Sequence, residues 1–404
     1  MNRIKGCIRK RTPVLLVGLF LSMVLVVSAL GQEIESPWVW GPNLGAIGED
    51  FVAISWNTLR AVEVDLHYST AAVYDATEVW EETLTFEPHK GVAEIRLGNL
   101  KPGTTYRYRI VIYDGDAVYP SPIGHFTTSS RETRSFCFLV YGDTRTFPDR
   151  HKLVADRMAE DEPNAVLVVN TGDLVESPTI GRFENFFWAV GDLARAHPYL
   201  AVLGNHEKRD ALYYEFLSLP SGGGESGEEW WSFDYGDVHF LGLDVNALTG
   251  GDVMTLMQEQ VEWARADLAD SNALFKVVFF HYPIYSSTWE GGVNESLREL
   301  WEPIFLENGV DVVFNGHMHC YEHFYVKGIH YIVTGGGGAP LQDSIDEAAA
   351  GTISRRYGML HYMRVTVAEN TMQVEVVPVA SVYNDEVHPL GGQSPDSFAI
   401  TKTR

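Results

Sequence analysis

Five short hydrophobic runs in this 404-residue sequence end on side chains that bind metal ions. "CFLVY" runs into Gly142-Asp143, "VVNT" into Gly172-Asp173, and "YLAVL" into Gly204-Asn205-His206-Glu207. "VVFF" runs into His281, and "VVFN" into Gly316-His317-Met318-His319. Aspartate, asparagine and histidine without cysteine suit Zn, Mn or Fe better than soft cations. The donors Asp143, Asp173, Asn205, His281, His317 and His319 are too many for one tetrahedral ion, whereas two ions sharing a carboxylate would use them all. The competing explanation is that these are strand-end caps and turn formers. The same kind of ending on all five runs argues against it.

Such a site needs strands that stop together. From residue 135 onward the buried runs are short and rich in Val, Leu and Phe. Between them lie helix-like segments: "HKLVADRMAE", "RFENFFWAVGDLARA", "LMQEQVEWARADLA" and "ESLRELWEPIFLENG". Strands alternating with helices predict largely parallel sheets covered by helices. In such sheets ligands sit at the carboxyl ends of the strands. "GGGGAP" (335–340) follows a strand without opening a helix, so it reads as a tight turn rather than a phosphate cradle. Residues 38–128 are different. "FVAISWNT", "EVDLHYST", "VAEIRLGNL", "TYRYRIVIY" and "IGHFTT" alternate apolar and polar residues, as half-buried strands do. In "GNLKPGTTYRYRI" a tyrosine at the strand entry is placed to bond back to the preceding turn, as in sandwich domains. This stretch resembles a fibronectin type III domain, with a spacer or docking role. "SSRETR" (129–134) is a polar linker.

The chain opens with Arg3, Lys5, Arg9, Lys10 and Arg11, followed by "VLLVGLFLSMVLVVSAL" and then Ala29-Leu30-Gly31. A basic head, an apolar core and a small-x-small ending predict a secretory signal over residues 1–31, cleaved before Gln32. The alternative is an N-terminal membrane anchor. Cys7 precedes the apolar core, which excludes lipid attachment there. Loss of residues 1–31 removes five positive charges and takes the formal charge from −24 to −29. That balance repels nucleic acid. It suits a soluble protein with no stable membrane association once the signal is cleaved. Cys137 and Cys320 remain, which is no disulfide framework; they read as buried thiols or, alternatively, as one bridge.

The motifs GD, GD, GNHE, a strand-ending His and GHxH, in this order, resemble the calcineurin-like metallophosphoesterase superfamily. "GHMHCYEH" and the fibronectin-like segment resemble its purple acid phosphatase branch. The resemblance implies an N-terminal β-sandwich (38–128) and a C-terminal α/β metallophosphoesterase domain (135–381) of two packed sheets flanked by helices. It implies two divalent or trivalent ions (Fe, Zn or Mn), with Asp173 bridging. Asp143 and His319 would hold the first, and Asn205, His281 and His317 the second. His206 would meet the substrate phosphate, as acid to the leaving group or as charge stabiliser, while a hydroxide between the metals attacks phosphorus in line. The implied activity is hydrolysis of a small phosphate monoester. The alternatives are a phosphodiesterase or nucleotide hydrolase, and a metal-impaired extracellular binding protein.

Several positions depart from the family. Purple acid phosphatases carry a tyrosine three places after the second aspartate; here it is Glu176, so no purple colour is expected. Other branches carry a histidine two places after the first aspartate; here it is Arg145. Glu176 is therefore either a replacement ligand or a solvated charge. Arg145 either grips the substrate phosphate, pairs with Glu176, or is solvated. Glu207 reads as a group that orients a ligand histidine. After His281, Tyr285 and Trp289 stand where the family has substrate histidines, and His323 replaces an arginine. His239 reads as a strand residue of the core, and Trp230 and Trp231 as core or rim rather than a substrate platform.

Overall fold

The computed structural model describes residues 9–10, 35–246, 253–343 and 347–403. Cys7, the apolar N-terminal segment and the expected cleavage point before Gln32 lie outside the described residues. Among the described residues, no helix is long and apolar enough to cross a membrane.

The N-terminal unit is a β-sandwich. "FVAISWNT" and "EVDLHYST", read from sequence as separate strands, form one strand, Val52–Thr70. Its two halves take different partners: Val52–Thr58 pairs with strand Trp38–Ile47, and Glu63–Thr70 with strand Thr105–Asp114. A register shift between Thr58 and Val62, against strand Glu82–Leu97, lets one strand serve both. Alternate residues such as Val52, Ile54, Trp56, Val64 and Leu66 are buried in a common core with Ile110 and Ile112. The Tyr106 hydroxyl accepts the Lys101 amide at 2.9 Å, closing the turn before its strand. The neighbouring Tyr108 hydroxyl donates to the Arg195 carbonyl at 2.9 Å, and Trp40 stacks on Phe187 at 4.1 Å. Both partners belong to helix Ile180–Ala196, so the sandwich docks on the domain that follows.

That domain has two sheets. The first runs Tyr199–Ala201, Val168–Asn170, Ser135–Tyr141, Met359–Ala368, Thr371–Tyr383, Glu386–Pro389. The second contains Val238–Gly242, Phe275–Phe279, Val312–Asn315 and Ile329–Thr334 as consecutive parallel strands. They pack face to face, with Phe138 against Phe240 at 4.9 Å and Phe240, Phe279 and Phe314 stacked along the second sheet. Period two explains how short apolar strands serve two cores. Val277, Phe279, Val312 and Phe314 face the space between the sheets. Val278, Phe280 and Val313 face helices Val253–Asp270 and Glu295–Glu307. Helices Pro148–Asp161 and Ile180–Ala196 cover the first sheet. The fold is the expected sandwich followed by two packed sheets flanked by helices. The C-terminal sheet does not stop at residue 381: strand Ser397–Thr401 pairs with Thr371–Tyr383. Its half-exposed pattern leaves little apolar signal to read.

Candidate metal centre

The ends of strands Ser135–Tyr141, Val168–Asn170 and Tyr199–Ala201 in the first sheet face those of Phe275–Phe279 and Val312–Asn315 in the second, and their loops cross at backbone contact. Glycine precedes four of the six donors, Asp143, Asp173, Asn205 and His317, and that crossing explains it. A Cβ on Gly204 would stand 2.2 Å from the Asp173 amide nitrogen, and one on Gly316 would stand 2.5 Å from Asp143 Oδ2. Asp143, Asp173 and His317 hold φ of 55°, 57° and 68°, the left-handed region that non-glycine residues seldom occupy. Carboxylates tie the loops together. Asp143 Oδ2 accepts the His317 amide at 2.8 Å, and Asp173 Oδ1 accepts the His206 amide at 3.0 Å.

The six predicted donors form two adjoining groups. In the second-ion group, His281 Nε2 stands 3.0 Å from Asn205 Oδ1, 3.3 Å from His317 Nδ1 and 3.4 Å from Asp173 Oδ1. His281 Nδ1 donates to the Thr171 carbonyl at 2.9 Å, so in the neutral imidazole Nε2 carries a lone pair. A lone pair, an amide oxygen and a carboxylate oxygen facing one another are the donor set a cation requires. Burial pushes the His281 imidazole down, but the Asp173 carboxylate outweighs it and holds the ring up to about 9. Beside it, burial and His281 push His317 down to about 4. In the first-ion group, His319 Nδ1 donates to the Pro340 carbonyl at 2.6 Å and Nε2 faces Asp143 Oδ1 at 3.4 Å. Asp143 Oδ1 is buried with no hydrogen-bond partner. One donor atom from each of Asp143, Asp173 and His319 lies within 4.8 Å of the others. The second group therefore fits a metal ion by donor chemistry, and the first offers donors of the right type that it shares with Arg145.

Comparison with known proteins decides the class. A family model for calcineurin-like phosphoesterases matches residues 137–321. Over that segment the chain is similar to calcineurin-like phosphoesterases. Several of its relatives are purple acid phosphatases of Arabidopsis thaliana. Purple acid phosphatase 15 of Arabidopsis thaliana is 27% identical over 304 residues, covering 64% of this chain and 55% of that protein. Probable inactive purple acid phosphatase 9 of the same plant is 23% identical over 318 residues, covering 66% of this chain and 47% of that protein. The chain spans about half the length of these curated relatives. Among solved structures, a purple acid phosphatase from yellow lupin seeds superposes with a TM-score of 0.71 at 18% identity, over 89% of this chain and 74% of that one. PhoD superposes with a TM-score of 0.70 at 15% identity, over 91% and 90%. At these identities the structures speak for the fold. The superfamily read from the motifs, with its purple acid phosphatase-like character, is borne out.

Other predicted residues of the phosphoesterase domain fall into place around the two groups. The Arg145 guanidinium, 15% exposed, donates from Nε to Asp173 Oδ2 at 3.2 Å and from one terminal nitrogen to Glu176 Oε2 at 2.8 Å. Its other terminal nitrogen is 3.5 Å from His319 Nε2. Glu176 also accepts from the Thr146 hydroxyl. Burial raises the Glu176 carboxyl, but Thr146 and Arg145 outweigh this and hold it below its ordinary range. Glu176 is thus a partner of Arg145, not a solvated charge. Glu207 orients loops rather than a histidine. Its two oxygens accept the amides of Gly204, Asp173 and Val175 at 2.7, 3.1 and 3.2 Å. Burial and the nearby Asp173 push it up to about 7. His206 Nδ1 donates to the Glu176 carbonyl at 2.8 Å, and Nε2 stands 3.9 Å from Asp173 Oδ2.

Tyr285 does not reach the site. Its hydroxyl is turned into the core, donating to Glu302 at 2.6 Å. The aromatic beside His317 is Tyr282, with ring centroids 4.2 Å apart, and Trp289 stacks over the same histidine at 6.0 Å. Sequence reasoning passed over Tyr282, although its position directly after His281 was a signal. His323 is held away from the centre by Asp396 and His330, at 2.9 Å each. Trp230 and Trp231 are core, and Cys137 and Cys320 are unbridged. The 335–340 turn runs under Asp143, whose carbonyl accepts the Ala339 amide at 2.9 Å.

Proposed function

We propose that this chain hydrolyses phosphate monoesters at the cleft where the two sheets meet, acting outside the cytoplasm after loss of residues 1–31. The observation that carries the reading is the second-ion group: Asn205, His281, His317 and Asp173 converge with their donor atoms facing one another, and His281 is tied by its far nitrogen to the Thr171 carbonyl. A metal ion bound there would neutralise charge on the phosphoryl oxygens and acidify a water molecule. The chain's own residues supply the rest. Because His206 Nδ1 is committed to the Glu176 carbonyl, Nε2 is the atom that takes up and delivers a proton to the leaving oxygen. Asp173 holds His206 by its amide, fixing the ring relative to the ion group. Tyr282 and Trp289 form an aromatic wall beside His317, against which an apolar leaving group can pack.

The test is turnover of an aryl phosphate monoester and the matching diester by the metal-loaded full chain, with Asp173→Asn as the control. Monoester hydrolysis lost in the control is expected. Faster diester turnover would move the assignment to phosphodiesterase. Activity no higher than the control would favour the second reading, a binding protein with an impaired metal site. That reading draws on the contact of Arg145 with Asp173 and His319.

A further inference from the structure

The two ion positions are not equivalent, and the difference lies in Arg145. We infer that the Arg145 guanidinium takes the place of the first metal ion, so that the centre holds one metal, at the second position, beside a built-in organic cation. Three observations converge. Asp173 offers Oδ1 toward His281 and Oδ2 to Arg145 Nε, so the oxygen that would reach the first ion is already engaged. His319 Nδ1 is committed to the Pro340 carbonyl, and its lone-pair nitrogen faces a terminal nitrogen of Arg145 at 3.5 Å. Glu176, the further carboxylate beside this group, is paired with Arg145 at 2.8 Å.

The guanidinium is also held in place. The Arg145 amide donates to the Asp173 carbonyl at 3.2 Å, and the Thr146 hydroxyl links Arg145 to Glu176. Charge agrees with geometry. Asp143, Asp173 and Glu176 carry three negative charges, and one divalent ion with one guanidinium neutralises them. A second divalent ion would sit against an arginine that cannot lose its proton, and like charges at such range repel strongly in a buried site.

The inference rests on the metal-site reading but not on the catalytic one, since ion count and hydrolysis are separate readouts. The experiment is elemental analysis of the purified full chain, saturated with Zn or Mn and freed of loose ions, for wild type and Arg145→His. One ion per wild-type chain and two per Arg145→His chain are expected. With Mn, only the variant should show the spectrum of an exchange-coupled pair. Two ions per wild-type chain would overturn the inference whatever the variant does. One ion in both proteins would also overturn it, because Arg145 would then not be what excludes the first ion. An Arg145→Ala chain guards against misfolding of the histidine variant. It should bind a second ion more tightly than wild type by calorimetry, and equal binding would count against the inference.

Discussion

The two halves of the metal centre draw on neighbouring strand ends and share Asp173, yet they meet different partners. Around His281 the donor atoms of Asn205, His317 and Asp173 converge on Nε2, and the far nitrogen of His281 is fixed by the Thr171 carbonyl. Around His319 the donors face a guanidinium that belongs to the chain. A set of ligand residues therefore defines a demand for positive charge. Whether a metal or a side chain meets that demand depends on what else the loop carries.

The sharpest way to break this comparison is to remove one donor from each half. His281→Ala deletes the nitrogen at the centre of the second group. Metal content should fall to background, and monoester hydrolysis should drop about 10³-fold or more, corresponding to several kcal/mol of lost transition-state stabilisation. Asp143→Asn removes a charge from the first group only. It should leave one ion per chain and lower kcat/KM by about tenfold or less. Elemental analysis and kinetics on the two variants decide it. Loss of the ion in Asp143→Asn would show that the first half holds metal after all.

Glu207 gives the next largest effect, because it is the strut between the halves. One carboxylate accepts the amide before Asn205, the amide of Asp173 and the amide of Val175. Glu207→Ala leaves three buried amides without acceptors, and each costs about 1–3 kcal/mol. Partial relaxation brings the expected loss to about 3 kcal/mol, measured as a lower urea midpoint at unchanged m-value. Glu207→Gln keeps an acceptor oxygen and should lose less than half of that. Both variants should weaken metal binding more than Asp143→Asn does. A Glu207→Ala protein as stable as wild type would mean that the loops hold their crossing without the strut.

The convergence of the six donors was legible in the sequence because glycine followed by a donor recurs at strand ends, and the structure shows why: the loops pass too close for a Cβ at Gly204 or Gly316. The two-sheet core was legible too, since a strand buried on both faces must be apolar at every position. The partners of the loop side chains were not. Arg145 reaches Asp173 and Glu176 through a turn that passes the left-handed Thr146, at φ 76°, and no periodicity encodes that direction. Glu207 was read as a histidine partner because two of the amides that it accepts, those of Asp173 and Val175, lie on a loop 34 and 32 residues away in sequence. Tyr285 and Tyr282 were exchanged because strand alternation stops at the His281 end and cannot be counted past Pro283.

The smallest expected effect tests the principle that this chain can supply its own cation between carboxylates. His239 lies between Asp234 and Asp267, 2.8 Å from each, with no metal-binding group of described residues around it. Burial pushes the imidazole down, but the two carboxylates outweigh burial and hold it up to about 9. The unfolded chain titrates near 6.5. The folded state therefore binds the extra proton between these values, and the stabilisation is complete below about 6.5 and lost as pH rises through about 9. Asp234 is 60% exposed, which screens its share, so the expected contribution is on the order of 2 kcal/mol. His239→Gln should be less stable than wild type by that amount near pH 6, with the gap closing toward pH 9.5. A gap that stays constant across this range would show that His239 acts through packing and hydrogen bonds rather than charge. The side-chain cation at Arg145 would then have no parallel at His239.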